Sequence, residues 1–218
     1  MEMKEKTALG SHDIYTTLFD RIIHNQYPSE NFLREDSLAK EFGTSRTPIR
    51  NVLKRLEQDQ LIQIIPNRGA KTFPFTADDL EDIFEIRRSL EALALEFAIP
   101  ALSIQRLIEI RKEIQEISNT KDYMRHAEVD AELHTYLIES CGRRRLINMV
   151  NQLYHLIQTF RELGFRDNEV RTTTCEEHLR LIDAICVRDT KLAIDVLKTH
   201  IQNSKVRIMQ KVVRGQVN

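Results

Sequence analysis

The chain has 218 residues, 30% of them charged and 41% hydrophobic, with a formal net charge of −1. It is long enough for one large or two small domains with a real core, and its balance excludes a polycation that holds nucleic acid along its whole length. Cys141, Cys175 and Cys186 are widely spaced with no CxxC, which argues against a disulfide framework and for a reducing compartment. The first residues are charged and lack an apolar h-region, and no apolar run approaches about 18 residues, so the sequence predicts a cytoplasmic protein with no membrane span.

Residues 1–10 are polar and predicted to fray. A first helix is expected from Ser11 to about Asn25, burying Ile14, Leu18, Ile22 and Phe19, with Tyr27-Pro28 as its stop. A short second helix follows at about Arg34 to Phe42, with Leu38 and Ala39 inward. Gly43-Thr44 is a turn. The stretch Thr44 to Glu57 then reads as a third helix. Ser45 is placed to cap it, and Pro48 sits early, where a missing amide proton costs least. Ile49, Val52, Leu53 and Leu56 form one apolar stripe, and Thr47, Arg50, Asn51 and Lys54 face away from it.

From Arg46 to Leu56 there are four basic residues (Arg46, Arg50, Lys54, Arg55) and no acid. Alone, this is either an ordinary amphipathic helix with a solvated face or a helix suited to the DNA major groove. Its flanks favour the second. Helix, short helix, tight turn and basic helix make a helix-turn-helix. From Phe32 to Lys71, eight bases against five acids give a local charge of +3, a modest footprint.

Leu61 to Ile65 reads as a strand, Pro66-Asn67-Arg68-Gly69 as a turn and Ala70 to Phe73 as the return strand. A hairpin directly after a recognition helix is a wing. Arg68 beside Gly69 at its tip brings a cation and a close-approaching backbone to the minor groove or to phosphate.

Pro74 marks a boundary, dividing residues 1–75 from residues 76–218. Thr76-Ala77-Asp78-Asp79 resembles a capping box. The helix it opens runs to about Ala98 and is expected to bury Leu80, Ile83, Phe84, Leu90, Ala94 and Phe97. Further helices are expected over about 103–118, 122–139, 144–163, 172–187 and 190–213, with Asp189 capping the last. The fold class is therefore mostly α: an N-terminal winged helix-turn-helix domain and a C-terminal all-α antiparallel bundle.

Inside the bundle, Asp130 and His134 share a face at i and i+4, within the apolar stripe of Tyr123, Ala127, Leu137 and Ile138. His178 lies on the stripe of Leu181, Ile182 and Ile185, and His200 on that of Ala193, Val196 and Leu197. A carboxylate on a core face needs a partner or a metal. Three histidines and an aspartate suit zinc, nickel, manganese or iron. A lone inward histidine is more often a hydrogen-bonded core residue, and spacing does not show that the four converge. His126 is read as solvent-facing or as supporting Asp130 one turn on; His155 is left open.

The first half resembles the GntR family of bacterial transcription regulators. The resemblance rests on Leu33, Leu38-Ala39, Phe42-Gly43, Ser45-Arg46-Thr47-Pro48-Ile49-Arg50, Leu53, Leu56, Leu61-Ile62, Pro66 and Arg68-Gly69. It implies DNA contacts from Arg46, Thr47 and Arg50 and from the wing at Asn67, Arg68 and Gly69. Many members carry a base where Asp36 stands here, and an acid there repels phosphate; Arg34, two residues away, is a candidate substitute. The second half is similar to the FCD-type effector domain over about Thr76 to Val213, on Asp130-x-x-x-His134, Glu177-His178 and His200. That resemblance implies that Asp130, His134, His178 and His200 hold one divalent metal, zinc or nickel first and manganese or iron next. It also implies a small carboxylate metabolite bound beside the metal.

Arg87 interrupts the stripe of Ile83, Phe84, Leu90 and Ala94, and either reaches the cavity as a carboxylate clamp or pairs with Glu91. Arg161 lies at the edge of the Leu153, Ile157 and Phe160 face, and is either a second clamp or a surface residue. The sequence thus predicts a ligand-responsive regulator, a repressor by analogy. It is expected to bind a pseudo-palindromic double-stranded operator as a homodimer, with recognition helices roughly 34 Å apart. Two rivals remain. One is a metal-dependent hydrolase using the His/Asp site with Asp183 or Glu177 as base, and the other is a helical adaptor that binds only protein.

Overall fold

The computed structural model describes residues 10–27 and 32–216, without the side chains of His155 and of residues 212–216. The expectations for residues 1–9, for Pro28 as a helix stop and for His155 lie outside the described set. Two compact units are distinguished, one formed by the chain up to Ala77 together with its end from Val212, and one over Asp78–Lys211.

The first unit contains α1 (Ser11–Ile23), β1 (Phe32–Leu33), α2 (Glu35–Glu41), α3 (Arg46–Gln58), β2 (Ile62–Ile65) and β3 (Gly69–Thr72). Helix α1 packs on α3. Ile14, Tyr15, Leu18 and Phe19 of α1 and Ile49 and Leu56 of α3 are fully buried. Each such side chain contributes about 1.5–3 kcal/mol. Tyr15 was not expected in this core. Its hydroxyl donates to Asp59 Oδ2 at 2.5 Å, and the Arg55 guanidinium lies 4.0 Å from its ring centroid. Arg55 is thereby turned toward Tyr15, and the outer basic face of α3 is Arg46, Arg50 and Lys54.

Ser45 takes the extended N-cap conformation, but its hydroxyl caps nothing. An N-cap side chain accepts from the amide two or three residues on; three residues on is Pro48, which has no amide proton, and this leaves Thr47 N as the one amide in reach.

Helix α1 stops at Ile23, and Asn25 enters the left-handed region with φ 52°. The Asn25 side chain donates to Phe75 O at 3.1 Å and accepts from Phe75 N at 3.0 Å. This reciprocal pair fixes the last residues of the unit against the end of its first helix.

The expected wing is present, with one strand more than the sequence showed. The order is β1-β3-β2, all antiparallel, with Leu33 opposite Ala70 and Ile64 also opposite Ala70 from the other side. Two residues are too few to show alternation, so β1 exists only by pairing. Gly69 has φ 108°, and a Cβ built on it would stand 2.6 Å from Leu33 O. Glycine is therefore required there by both backbone angle and strand packing.

The second unit is helical: α4 (Ala77–Ala98), α5 (Ile104–Ile117), α6 (Tyr123–Glu139), α7 (Arg144–Phe165), α8 (Asn168–Cys186) and α9 (Thr190–Gln216). The pairs α5–α6, α5–α8, α6–α7 and α7–α8 pack together. Side-chain caps set most of the starts: Ser103 to Arg106 N, Asp122 to Arg125 N, Asp167 to Glu169 N, and Asp189 to Leu192 N as expected. The Asp167 cap starts α8 four residues earlier than Thr172. Phe97, expected in the core, is 41% exposed and carries the Arg143 guanidinium 4.3 Å above its ring. Leu95 and Ala98 are buried instead. Among the described residues no helix is long and apolar enough to cross a membrane.

Gly69→Ala is expected to destabilise the first unit by about 1–3 kcal/mol, because it adds both a φ penalty and a backbone clash. Urea unfolding of the full chain, followed by a probe in the wing, checks this; an unchanged midpoint would remove the proposed need for glycine.

Candidate metal centre and nucleic-acid interface

Helix α6 presents Asp130 and His134 one turn apart, α8 presents His178, and α9 presents His200. All four are buried, and one ligand atom from each lies within 4.8 Å of the others. The structure thus brings together the four residues whose convergence spacing could not establish. His134 Nε2 is 3.3 Å from His200 Nε2, His178 Nε2 is 3.4 Å from His200 Nε2, and His178 Nε2 is 3.4 Å from Asp130 Oδ1. Two ligand atoms each about 2.05 Å from one ion lie about 3.4 Å apart at the tetrahedral angle.

The outer nitrogens decide what those inner atoms are. His134 Nδ1 is 2.6 Å from Glu91 Oε2, and His200 Nδ1 is 2.8 Å from Glu177 Oε2. A carboxylate takes only a donor, so each Nδ1 carries the proton and each Nε2 turns a lone pair inward. Two lone pairs then face each other at 3.3 Å, where no hydrogen bond can form between them. Such a pair favours a cation between the two nitrogens; the cation at hand is Arg87, whose Nη2 is 3.4 Å from His134 Nε2 on one side of the pair. Burial keeps the rings neutral and outweighs the nearby carboxylates. It lowers His134 to about 4 and His178 to about 3, and His200 is lowered as well. Burial alone would raise Asp130, but Arg161 and the three histidines bring it below the usual carboxylate range. Three neutral imidazoles and one carboxylate are a fitting donor set for a divalent ion.

Each acid at the cluster is in turn held by an arginine. Arg87 Nε donates to Glu91 Oε1 at 2.6 Å, and its other arm lies 3.4 Å from His134 Nε2. The expected i,i+4 pair with Glu91 and the approach to the site are therefore both present. Arg207 spans both Glu177 oxygens at 2.9 and 3.0 Å, and Asn203 donates to the same carboxylate at 2.9 Å. Arg161 is buried, not a surface residue; its Nε sits 2.5 Å from Asp130 Oδ2. That contact is a charge pair without hydrogen-bond alignment, since both atoms lack a hydrogen-bond partner. Arg87, Asp130, Arg161 and Arg207 line one cavity of ≈ 20 Å³, together with Thr174 and Ser204. Glu91 and Glu177 are named from sequence, one as the alternative partner of Arg87 and the other in the motif and as a candidate base, but not as supports of His134 and His200; Arg207 is not named. A periodicity signal existed for Glu91, four residues after Arg87.

His126 is 2% exposed, not solvent-facing. Its Nδ1 lies 2.8 Å from Asp122 O and its ring packs by Phe165, so it supports the start of α6 rather than the cluster.

In the first unit, Arg46, Thr47, Arg50, Asn67 and Arg68 are all exposed, and Gly69 is half-buried at the wing root. Arg46 Nε is 2.5 Å from Asp36 Oδ1. Arg50 makes a two-pronged pair with Glu35 at 3.0 and 2.8 Å. The two acids at the start of α2 therefore hold the two arginines at the start of α3.

Comparisons with known proteins agree with both halves. The FCD domain family matches residues 82–203, more than half of the chain, and the family described as bacterial regulatory proteins, gntR family, matches residues 11–71. The HTH-type transcriptional regulator YdhC of Bacillus subtilis (strain 168) is 26% identical over 94% of this chain and 93% of its own length. The HTH-type transcriptional repressor GlaR of Escherichia coli (strain K12) is 23% identical over 95% of this chain and 99% of its own. Among solved structures, E. coli McbR/YncC superposes with TM-score 0.67 at 18% identity, covering 92% of this chain and 97% of that one. The metal-free FCD domain of the regulator TM0439 superposes with TM-score 0.56 at 25% identity, covering 63% and 96%.

Glu177→Gln is expected to lower metal affinity about 10–100-fold while the fold persists, because it weakens the group that orients His200. His178→Ala should abolish stoichiometric metal. Elemental analysis and a competitive chelator titration read both; full metal content in His178→Ala would misplace the site.

Proposed function

The chain belongs to the gntR family of bacterial regulatory proteins and carries an FCD domain, and from that premise we propose a metal-assisted, acid-responsive DNA switch. As a family member it is a transcription regulator and not an enzyme. In our reading it binds a pseudo-palindromic operator as a homodimer. Arg46, Thr47 and Arg50 read the major groove, and Asn67, Arg68 and Gly69 meet the minor groove or backbone. The named repressors among its relatives favour repression. The domain boundary is placed near residue 75, at Pro74 and the end of the wing.

The observation that carries the effector half is the pair of inward lone pairs at 3.3 Å between His134 and His200. A divalent ion, zinc or nickel first by its nitrogen-rich ligands, held by Asp130, His134, His178 and His200 resolves that conflict. When bound it supplies a Lewis-acid position for a carboxylate oxygen. Arg87 and Arg161 supply the charge beside it. The cavity of ≈ 20 Å³ holds about one water, so an organic acid enters only by displacing side chains. The side chains in its way are Arg87 and Arg161, each already tied to an acid of the cluster. An effector that draws them off favours one arrangement of the bundle over another, and differential affinity of that kind is what couples two sites.

Neither base named for the hydrolase alternative is free. Glu177 is engaged by His200, Asn203 and Arg207, and Asp183 is ion-paired with Arg111.

Arg50→Ala is expected to weaken binding to an operator selected from a random pool by about 1–3 kcal/mol, the worth of a two-pronged base contact. Equal affinity would remove Arg50 from the readout. A thermal-shift screen of small carboxylates, run with and without zinc or nickel, tests the effector. Stabilisation is expected only in the presence of metal and grows with ligand concentration.

A further inference from the structure

We infer that Arg34 is a phosphate clamp seated between the recognition helix and the wing; this rests on the DNA-binding reading above. Three observations place it there. The register of β1 on β3 sets Leu33 opposite Ala70 and Phe32 opposite Lys71. Leu33 and Ala70 are buried, while Phe32 and Lys71 are exposed, so the next step of the register turns Arg34 outward across from Gly69. Gly69 has no side chain to fill that space. A Cβ there would come within 3.5 Å of the Arg34 Cα, so residue 34 lies directly against the wing root.

On its other side, residue 35 is bound to the recognition helix. Glu35 grips the outward guanidinium of Arg50 with both oxygens. The single backbone step from 34 to 35 therefore joins the wing root to the outer face of α3. A recognition helix in the major groove and a wing in the adjacent minor groove leave one phosphate strand running between them. Arg34 stands where that strand passes.

The charges nearby assign it a role distinct from that of its neighbours. Arg46 and Arg50 are each held by an acid, Asp36 and Glu35. Their guanidiniums are oriented and locally neutralised, which suits base readout more than phosphate attraction. Arg34 is exposed and makes no ion pair among the described residues, and the same holds for Arg68 and Lys71. Among the described residues Lys54 on the outer face of α3 is likewise exposed and outside these ion pairs; on the wing side the cations outside them are Arg34, Arg68 and Lys71, and Arg34 is the one a single backbone step from the residue that grips α3.

A phosphate contact is blind to sequence, so the test needs no operator. Anisotropy of a labelled duplex of about 24 base pairs of arbitrary sequence is measured between about 50 and 200 mM KCl for the full chain and its variants. Arg34→Ala should bind about 5- to 10-fold more weakly at low salt, and its log K against log salt slope should fall by about 0.9 per bound protomer. Arg34→Lys should restore the slope, since a point charge suffices. Thermal melts of the variants should match the wild type. Wild-type slope and affinity in Arg34→Ala, with Arg68→Ala weakened, would overturn the assignment of Arg34 alone. Arg34→Lys as weak as Arg34→Ala would also overturn it, because charge would not be the operative property. Absence of salt-dependent DNA binding by the wild type would instead sink the DNA-binding reading itself.

Discussion

Three buried imidazoles and a carboxylate converging on one point are the constraint on which the second unit is built. Each imidazole is kept neutral by burial, and two of them are turned the right way round by a carboxylate on the far nitrogen. Those carboxylates are themselves buried ions and need cations. Arg87 answers Glu91, Arg207 answers Glu177 and Arg161 answers Asp130. Removing one member of such a pair leaves an uncompensated buried charge, typically a loss of about 3–5 kcal/mol. Helices α4, α6, α7, α8 and α9 each contribute at least one charge or ligand to this single network. Apolar packing brings the helices together, and the network fixes which faces meet.

That network also explains the small cavity. A site with so many fixed charges cannot be left empty in an apolar sense, and its free hydrogen-bonding atoms, Asp130 Oδ2 and Arg161 Nε, stand beside that space. Polar groups of this kind are satisfied by water or by a ligand oxygen. The cluster is thus partly complete: its ions are paired, but its hydrogen bonds are not.

The sequence made the ligands legible and hid their supports. Asp130 and His134 stood out because polar residues at i and i+4 broke an apolar stripe, and His178 and His200 did the same on their own helices. Periodicity marks a face and carries no information on which faces converge, so the meeting of the four waited for coordinates. Arg207 is an ordinary charged residue in sequence, and only Glu177, 30 residues away, makes it part of the site. Arg161 stood open between a clamp and a surface residue because it lies at the edge of its stripe, and its pairing with Asp130 from another helix is what the sequence did not show. Phe97 failed in the opposite direction, since aromatic character at the right spacing does not require burial when a cation covers the ring. In the first unit, helix order, the turn and the hairpin followed from local signals. Strand β1 and the Asn25–Phe75 clasp did not, because both consist of pairing between distant short segments.

Pro48 has a consequence for the residue that precedes it by three. With Pro48 removing one of the two amides in reach and no hydrogen bond made to the other, Thr47 N, the Ser45 hydroxyl contributes nothing to the start of α3, although its backbone still sets the entry angle. A working cap costs about 1 kcal/mol to remove, but here that penalty does not apply. Position 45 is then free, as far as folding is concerned, to accept any side chain that tolerates an extended backbone. A substitution at this exposed position is therefore felt by whatever meets the outer face of α3 more than by the helix itself.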